Sequence, residues 1–147
     1  MSKKCVGKVL ELFISKKGYE KRLSKEVLQF DLDGVIEDKF YNKNIQRSVL
    51  LATIDSYKLA KENNIYMDYG TLGENILTDF NPYNLDIGTK LSIGEVVFEI
   101  TQECTICNHL SVIDKGLPKL LKKDRGIFAK VIKMGNVKLN DKIYLVE

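Results

Sequence analysis

The chain predicts a mainly β fold, a closed or partly closed barrel carrying one or two short helices. Short runs rich in β-branched and aromatic residues recur along it, separated by Gly, Asn, Asp and Lys turns. One of them, Leu91 to Thr101, has a hairpin signal, Gly94-Glu95, inside it. Helical patterning is confined to two stretches, and strands at short spacings with few helices suit a barrel.

Taken in order, Val6 to Ser15 is the first strand, with Val9, Leu10, Leu12, Phe13 and Ile14 as its apolar content, and Lys16-Lys17-Gly18-Tyr19 turns the chain. Val27 to Leu32 is a short strand. Asp33 to Gln46, the most polar stretch, reads as a long loop with some apolar anchors. Val49 to Thr53 is an apolar strand, and a helix follows over about Asp55 to Asn63, capped by Thr53 or Asp55. After the hairpin, a second helix lies somewhere between Asn108 and Lys122. Ile127 to Ile132 is a strand ended by Met134-Gly135-Asn136, and Lys142 to Val146 closes the barrel.

Composition excludes several classes. The chain's 147 residues suit one domain, residues 1–147, and its 44% hydrophobic and 29% charged content is ordinary for a globular protein. The 23 basic and 20 acidic residues leave a net charge of +3, which gives no reason to expect a nucleic-acid partner. No apolar run approaches the roughly 18 residues of a membrane helix, and the Met1 to Lys8 start lacks the pattern of a signal peptide. The cysteines number three, which makes no disulfide framework; thiols in a reducing cytoplasm are the expectation. Cys5, in an apolar strand, reads as a small buried hydrophobe.

The chemistry concentrates in Glu103-Cys104-Thr105-Ile106-Cys107-Asn108-His109, just after the predicted strand Val96 to Thr101. A strand end presents a reactive group rigidly. A helix starting near Asn108 would favour a thiolate beside it, and a thiolate binds soft metals or carries a persulfide. His109 is the single histidine of the chain. Inert burial, a structural zinc site of three ligands, and a dithiol redox pair are the competing readings. A second signal is Gly70-Thr71-Leu72-Gly73-Glu74-Asn75-Ile76, whose glycines permit a tight turn with N–H groups that could cradle a phosphate. A plain turn is the alternative. Arg47, just before an apolar strand, could grip a phosphate bidentately or merely sit in a surface ion pair.

In this order, these features resemble the MOSC domain family, named for the C-terminal part of molybdenum-cofactor sulfurases. Gly34-Val35-Ile36-Glu37-Asp38 is similar to its glycine-plus-acid loop, Arg47-Ser48-Val49-Leu50-Leu51 to its arginine-led strand, and Gly70 to Ile76 to its Gly-x-x-Gly-Glu-Asn signature. Asp86 to Gly94 is similar to its double-glycine hairpin. Glu99-Ile100-Thr101-Gln102 with Cys107 is similar to the strand that delivers its cysteine, and Arg125 to Val131 with Asn140 to Ile143 to its closing strands. The likeness runs from about Val6 to Val146 and is greatest to short stand-alone bacterial forms.

The resemblance implies a MOSC-like barrel and a cysteine that ligates the molybdenum of a bound pterin (molybdopterin) cofactor or carries sulfur for it. Some members reduce N-hydroxylated compounds. The implied site is Arg47, Gly70, Gly73, Glu74, Asn75, Cys104, Cys107 and His109, with Cys107 as catalytic residue and metal ligand and Arg47 on the pterin phosphate. The implied partner is the pterin cofactor or a sulfur-donor protein. Pyridoxal phosphate, which belongs to a separate desulfurase domain, is not expected on this chain. Glu37-Asp38-Lys39-Phe40 lacks the second glycine and the histidine that many members carry, and Cys104 and Ile106 stand where many have Arg and Pro. Counting from Gln102 without a gap puts Cys107 in the cysteine's place; members with Glu-Cys-His align Cys104 instead.

Overall fold

The first strand of the computed structural model, which describes residues 3–19, 22–104 and 110–146, is β1, Lys3–Ile14. It is long enough to serve two partners on one edge: its first half pairs with β11 (Lys142–Val146) and its last three residues with β2 (Leu23–Lys25). The remaining strands are β3 (Val27–Asp31), β4 (Gly34–Val35), β5 (Val49–Thr53), β6 (Ile76–Thr78), β7 (Lys90–Ile93), β8 (Val96–Glu103), β9 (Ile127–Lys133) and β10 (Gly135–Lys138). Hydrogen bonding runs β11-β7-β8-β9-β5-β6-β1, and the β1–β11 pairing closes that ring of seven. A small sheet, β10-β3-β4, lies beside it.

Within the ring, β5 and β6 form the parallel pair, Leu51 opposite Ile76. Parallel neighbours cannot be joined by a tight turn and need a crossover. Here the crossover carries helix α1 (Ile54–Glu62), capped by the Thr53 hydroxyl, and then the Gly70 to Asn75 loop. Both are thereby laid against the outside of the barrel wall.

Alternation along the strands fills the inside. Val96, Phe98 and Ile100 of β8 and Ile127, Ala129 and Val131 of β9 point into one core with Val9, Leu12, Val49, Leu51 and Ile143. The opposite face is also covered. Phe13, Ala52 and Leu77 meet Tyr57 and Ala60 of α1 and Leu110, Leu117 and Leu121 around helices α2 (Leu110–Ile113) and α3 (Leu117–Leu120). Every residue of β5 is therefore buried, which is why Val49 to Thr53 reads as a continuous apolar run rather than an alternating one. No described helix is long and apolar enough to cross a membrane.

Several expectations need correction. The chain bends at Met134 and resumes as β10, pairing Gly135 with Phe30, where an end was expected. The expected loop from Asp33 to Gln46 contains β4 and closes with a 3₁₀ turn, Ile45–Arg47. The expected second helix is α2 and α3, divided by Asp114 to Gly116, and its expected start near Asn108 lies outside the described residues. β6 was not expected at all. Cys5 is exposed rather than buried, because it lies in the outer, exposed part of β1.

Candidate functional site

Three residues form a separate apolar cluster on the outer face of the barrel: Leu50 of β5, Phe128 of β9 and Cys104, the residue after β8. They floor a cavity of about 400 Å³ whose walls include Arg22, Asp38, Lys43, Arg47, Gly73 and Asn75. Cys104 is only 7% exposed, and its N–H donates to the Gly126 carbonyl at 3.0 Å, so the strand-end thiol has a fixed backbone. Gly126 permits this at φ +147°: a Cβ there would come within 2.8 Å of Leu50 Cδ1 and 3.2 Å of the Leu51 carbonyl.

Arg47 ends the 3₁₀ turn. The Asn44 side chain caps that turn by accepting from the Gln46 N–H at 3.1 Å, and the Ser48 hydroxyl donates to the Ile45 carbonyl at 2.6 Å. The Thr101 hydroxyl donates to the Gln46 carbonyl and ties the turn to β8. The guanidinium then lies 5.7 Å from the Phe128 ring centroid, at the rim of the cavity. Beyond Arg47 a larger and shallower depression of about 720 Å³ is lined by Tyr83, Asp86, Ile87 and Glu103. It holds no buried cation and no thiol among the described residues, so the smaller cavity is the better candidate.

The Gly70 to Asn75 loop is organised from behind. The Tyr57 hydroxyl of α1 donates to Glu74 Oε2 at 2.6 Å and accepts from the N–H groups of Gly70 and Leu72 at 3.1 and 3.3 Å. Gly70 N–H also reaches Glu74 Oε2 at 3.1 Å. Glu74 is fully buried, and burial raises its pKa above the ordinary value even though the bonds from Tyr57 and Gly70 and the charge of Arg22 oppose the shift. Asn75 Oδ1 accepts from the Leu50 N–H at 3.0 Å and its Nδ2 donates to the Phe13 carbonyl at 3.2 Å. Thus Gly73 and Asn75 face the cavity, while Gly70 and Glu74 brace the loop from its far side.

This corrects the expected phosphate cradle. The N–H groups of Thr71, Gly73 and Asn75 donate to the carbonyls of Asp68, Gly70 and Leu50, and those of Gly70 and Leu72 are taken by Tyr57. The tight turn consumes its own donors.

Arg22, which the sequence did not single out, supplies what the loop does not. Its side chain is 14% exposed and its Nη1 stands 3.9 Å from Asp38 Oδ1. Burial lowers its pKa while Asp38, Glu74 and Tyr57 raise it; a guanidinium nonetheless stays protonated at any working pH. Nothing local announces Arg22: it lies 16 positions before Asp38 and 25 before Arg47, and only the closure of the barrel brings the three together. Cys107 and His109 lie outside the described residues, so the dithiol and zinc readings both rest on residues whose positions are not described. Among the described residues, no three His, Cys, Asp or Glu side chains are grouped to hold a metal. Chemically, the cavity offers surplus positive charge above a strand-end thiol, a setting for an anionic ligand with a thiophilic centre.

A sequence profile of the MOSC domain matches residues 37–144. The fold is similar to that of the YuaD protein from Bacillus subtilis, with a TM-score of 0.84, 15% identity and 99% of each chain covered. It is also similar to YiiM from Geobacillus stearothermophilus (TM-score 0.70, 12% identity, 99% of this chain and 76% of that one). YiiM from Escherichia coli gives a TM-score of 0.68 at 18% identity, over 95% of this chain and 70% of that one. No curated protein matches by sequence. At these identities the structural likeness speaks to the fold alone.

Proposed function

Since the chain belongs to the MOSC domain family, we propose that it binds the molybdenum cofactor, or carries sulfur for it, in the cavity floored by Cys104. The observation that supports this reading most is the convergence of Arg22, Lys43 and Arg47 on a cavity that also contains a strand-end thiol. An anionic pterin phosphate needs cations, and molybdenum takes a soft thiolate. The residues fit the group on a further count: the Arg22 side chain, 14% exposed, lines the cavity and adds a third positive charge to it.

When bound, the cofactor supplies two-electron redox or sulfur-accepting chemistry at its metal. This chain's own contribution is narrower. Arg47 and Lys43 stand at the rim and draw in the anion. Leu50 and Phe128 exclude water around the thiol, and the Cys104–Gly126 backbone bond fixes the sulfur's approach. Counting without a gap favours Cys107, which lies outside the described residues; we assign the role to Cys104 as the described thiol that lines the cavity, and the paired substitutions below decide between them.

Protein made in a host that produces the cofactor is expected to copurify with molybdenum and a fluorescent pterin, measured by elemental analysis and fluorescence after extraction. Folded protein carrying neither would overturn the proposal. Cys104→Ser should abolish retention, or persulfide loading if the domain carries sulfur, while Cys107→Ser should only weaken it. The reverse pattern moves the role to Cys107. Reduction of N-hydroxylated compounds is the activity to assay on the loaded protein.

A further inference from the structure

Glu74 is the most deeply buried carboxyl among the described residues, at 0% exposure. Its two oxygens are unequal. Oε2 accepts from the Tyr57 hydroxyl at 2.6 Å and the Gly70 N–H at 3.1 Å, whereas Oε1 is buried with no hydrogen-bond partner among the described residues. A proton on this carboxyl therefore sits on Oε1, since Oε2 already faces two donors. The countercharge that reaches Glu74 is Arg22: each favours the charged form of the other. The glycine turn keeps the two together, because a Cβ on Gly73, the residue before Glu74, would lie 3.8 Å from Arg22 Nη2. Arg22 also lines the cavity, so one guanidinium serves the carboxyl behind the turn and whatever occupies the space in front of it. The other titratable groups that feel Glu74 are Tyr57 of α1 and Tyr83 ahead of β7, and burial raises both phenols, which stay neutral. Asp38 stands 3.9 Å from Arg22 Nη1, and Lys43 and Arg47 complete the charged lining.

We infer that occupation of the cavity by an anion is coupled, through Arg22, to uptake of a solvent proton by Glu74 Oε1, so that the site takes its ligand together with a proton and releases both as the pH rises. This rests on the reading of the cavity as an anionic cofactor's site and adds its regulation. With the cavity empty, the charge of Arg22 partly offsets the cost of a buried carboxylate. An anion beside the guanidinium cancels that field and adds a repulsion of its own, felt strongly across a dry wall. The neutral carboxyl is then favoured. By linkage the effect is reciprocal: a ligand that raises the proton affinity of Glu74 is itself bound more tightly when Glu74 is protonated. The sign follows. The folded pKa of Glu74 already lies above 4.5 through burial, and in the occupied chain it lies higher still. Below the empty-state value Glu74 is protonated in both states and affinity is full. Between the two values binding draws in a proton. Above the occupied-state value the carboxylate persists in both states and affinity is reduced, about tenfold for each unit that separates them.

The test is calorimetric titration of protein from a host lacking the cofactor with sulfate, a dianion that does not itself titrate in this range. Runs at steps between about pH 5 and 8, in two buffers of different ionisation enthalpy, give the protons taken up. Uptake should appear within that window, and affinity should fall by about threefold or more across it. Glu74→Gln keeps the acceptor for Tyr57 and Gly70 but cannot take a proton; it should lose that uptake and that slope. Infrared difference spectra should show the protonated-carboxyl band growing when sulfate is added to the unmodified chain and missing in Glu74→Gln. Tyr57→Phe removes a donor to Oε2 and should move the window to higher pH; it carries the assignment if the glutamine variant does not fold. Failure of sulfate to bind, an affinity flat within about twofold across the window, or uptake that survives in Glu74→Gln overturns the inference. Such a result with molybdenum and pterin still copurifying leaves the cofactor reading standing. Glu74-dependent uptake in a chain that never retains molybdenum or pterin overturns the cofactor reading and leaves the coupling in place.

Discussion

Asn75→Ala tests whether one side chain ties the cavity wall to the barrel. Asn75 is 4% exposed, and the two groups it joins belong to Leu50 and Phe13, each 6% exposed. Its Oδ1 accepts from Leu50 N–H at 3.0 Å and its Nδ2 donates to the Phe13 carbonyl at 3.2 Å. The backbone bonds between Asn75 and the same two residues survive the substitution, so the loss is confined to the side-chain pair. A buried N–H or C=O left without a partner costs about 1–3 kcal/mol. The Leu50 donor should lie toward the upper end and the Phe13 acceptor, with a second lone pair, toward the lower. The sum is about 2–5 kcal/mol, a large share of the roughly 5–15 kcal/mol that stabilises an ordinary domain. For a chain of this size it corresponds to a fall in Tm of about 5–15 °C. Urea and thermal unfolding followed by circular dichroism measure it directly. Asn75→Asp is the control: it keeps the acceptor, loses the donor, and should be no better tolerated, since it sets a buried charge against a carbonyl. A loss below about 1 kcal/mol at unchanged m-value would mean that water takes over both bonds and that the tie is dispensable.

Other outcomes follow from the same wall. The folded-state pKa of Glu74 lies above its ordinary value of 4.5, chiefly through burial, so the folded chain keeps a proton that the unfolded chain has released. Stability must then fall as pH rises upward from 4.5, and Glu74→Gln, which can still accept from Tyr57 and Gly70, should lose that part of the dependence; parallel Tm-against-pH curves for the two proteins would refute it. Gly126→Ala puts a side chain at φ +147° and 3.2 Å from the Leu51 carbonyl, which should cost about 1–3 kcal/mol in urea unfolding. Because Gly126 also holds the Cys104 N–H, the same variant should retain less molybdenum per folded chain; unchanged stability would show that the wall can move aside.

What the sequence discloses depends on how far the signal reaches along the chain. β1, β5, the β7–β8 hairpin and α1 are legible because their apolar content, turn residues and cap all lie within one segment. β6 and β10 are three and four residues long, too short to show a period, and each exists only because a distant strand is there to pair with it. The same limit governs the site. Arg47 and Cys104 could be singled out because each borders an apolar strand, and both do line the cavity. Arg22 could not, because its partners are brought to it by the fold.

The glycine loop shows how a local signature can be read correctly and assigned the wrong task. Gly-x-x-Gly permits a tight turn, and the turn is there; whether its N–H groups face a ligand depends on what stands behind them. Here that is Tyr57, 13 residues before Gly70 and 17 before Glu74, delivered by the crossover that a parallel β5–β6 pair requires. The Tyr57 hydroxyl and the Glu74 carboxylate satisfy the loop from inside, so the signature's polar residues stabilise the wall and leave recognition to whatever cation the barrel brings to its other side. A buried carboxylate beside a buried guanidinium would ordinarily discharge the need for a ligand. In this wall Arg22 Nη1 has no hydrogen-bond partner among the described residues: Asp38 stands 3.9 Å away and accepts from the Ser15 and Phe40 N–H groups, and Glu74 Oε2 accepts from Tyr57 while its buried Oε1 is likewise unpartnered. Asp38 thereby ties its loop to the end of β1 and Glu74 ties the glycine loop to α1, and the Arg22 side chain lines the cavity beside them.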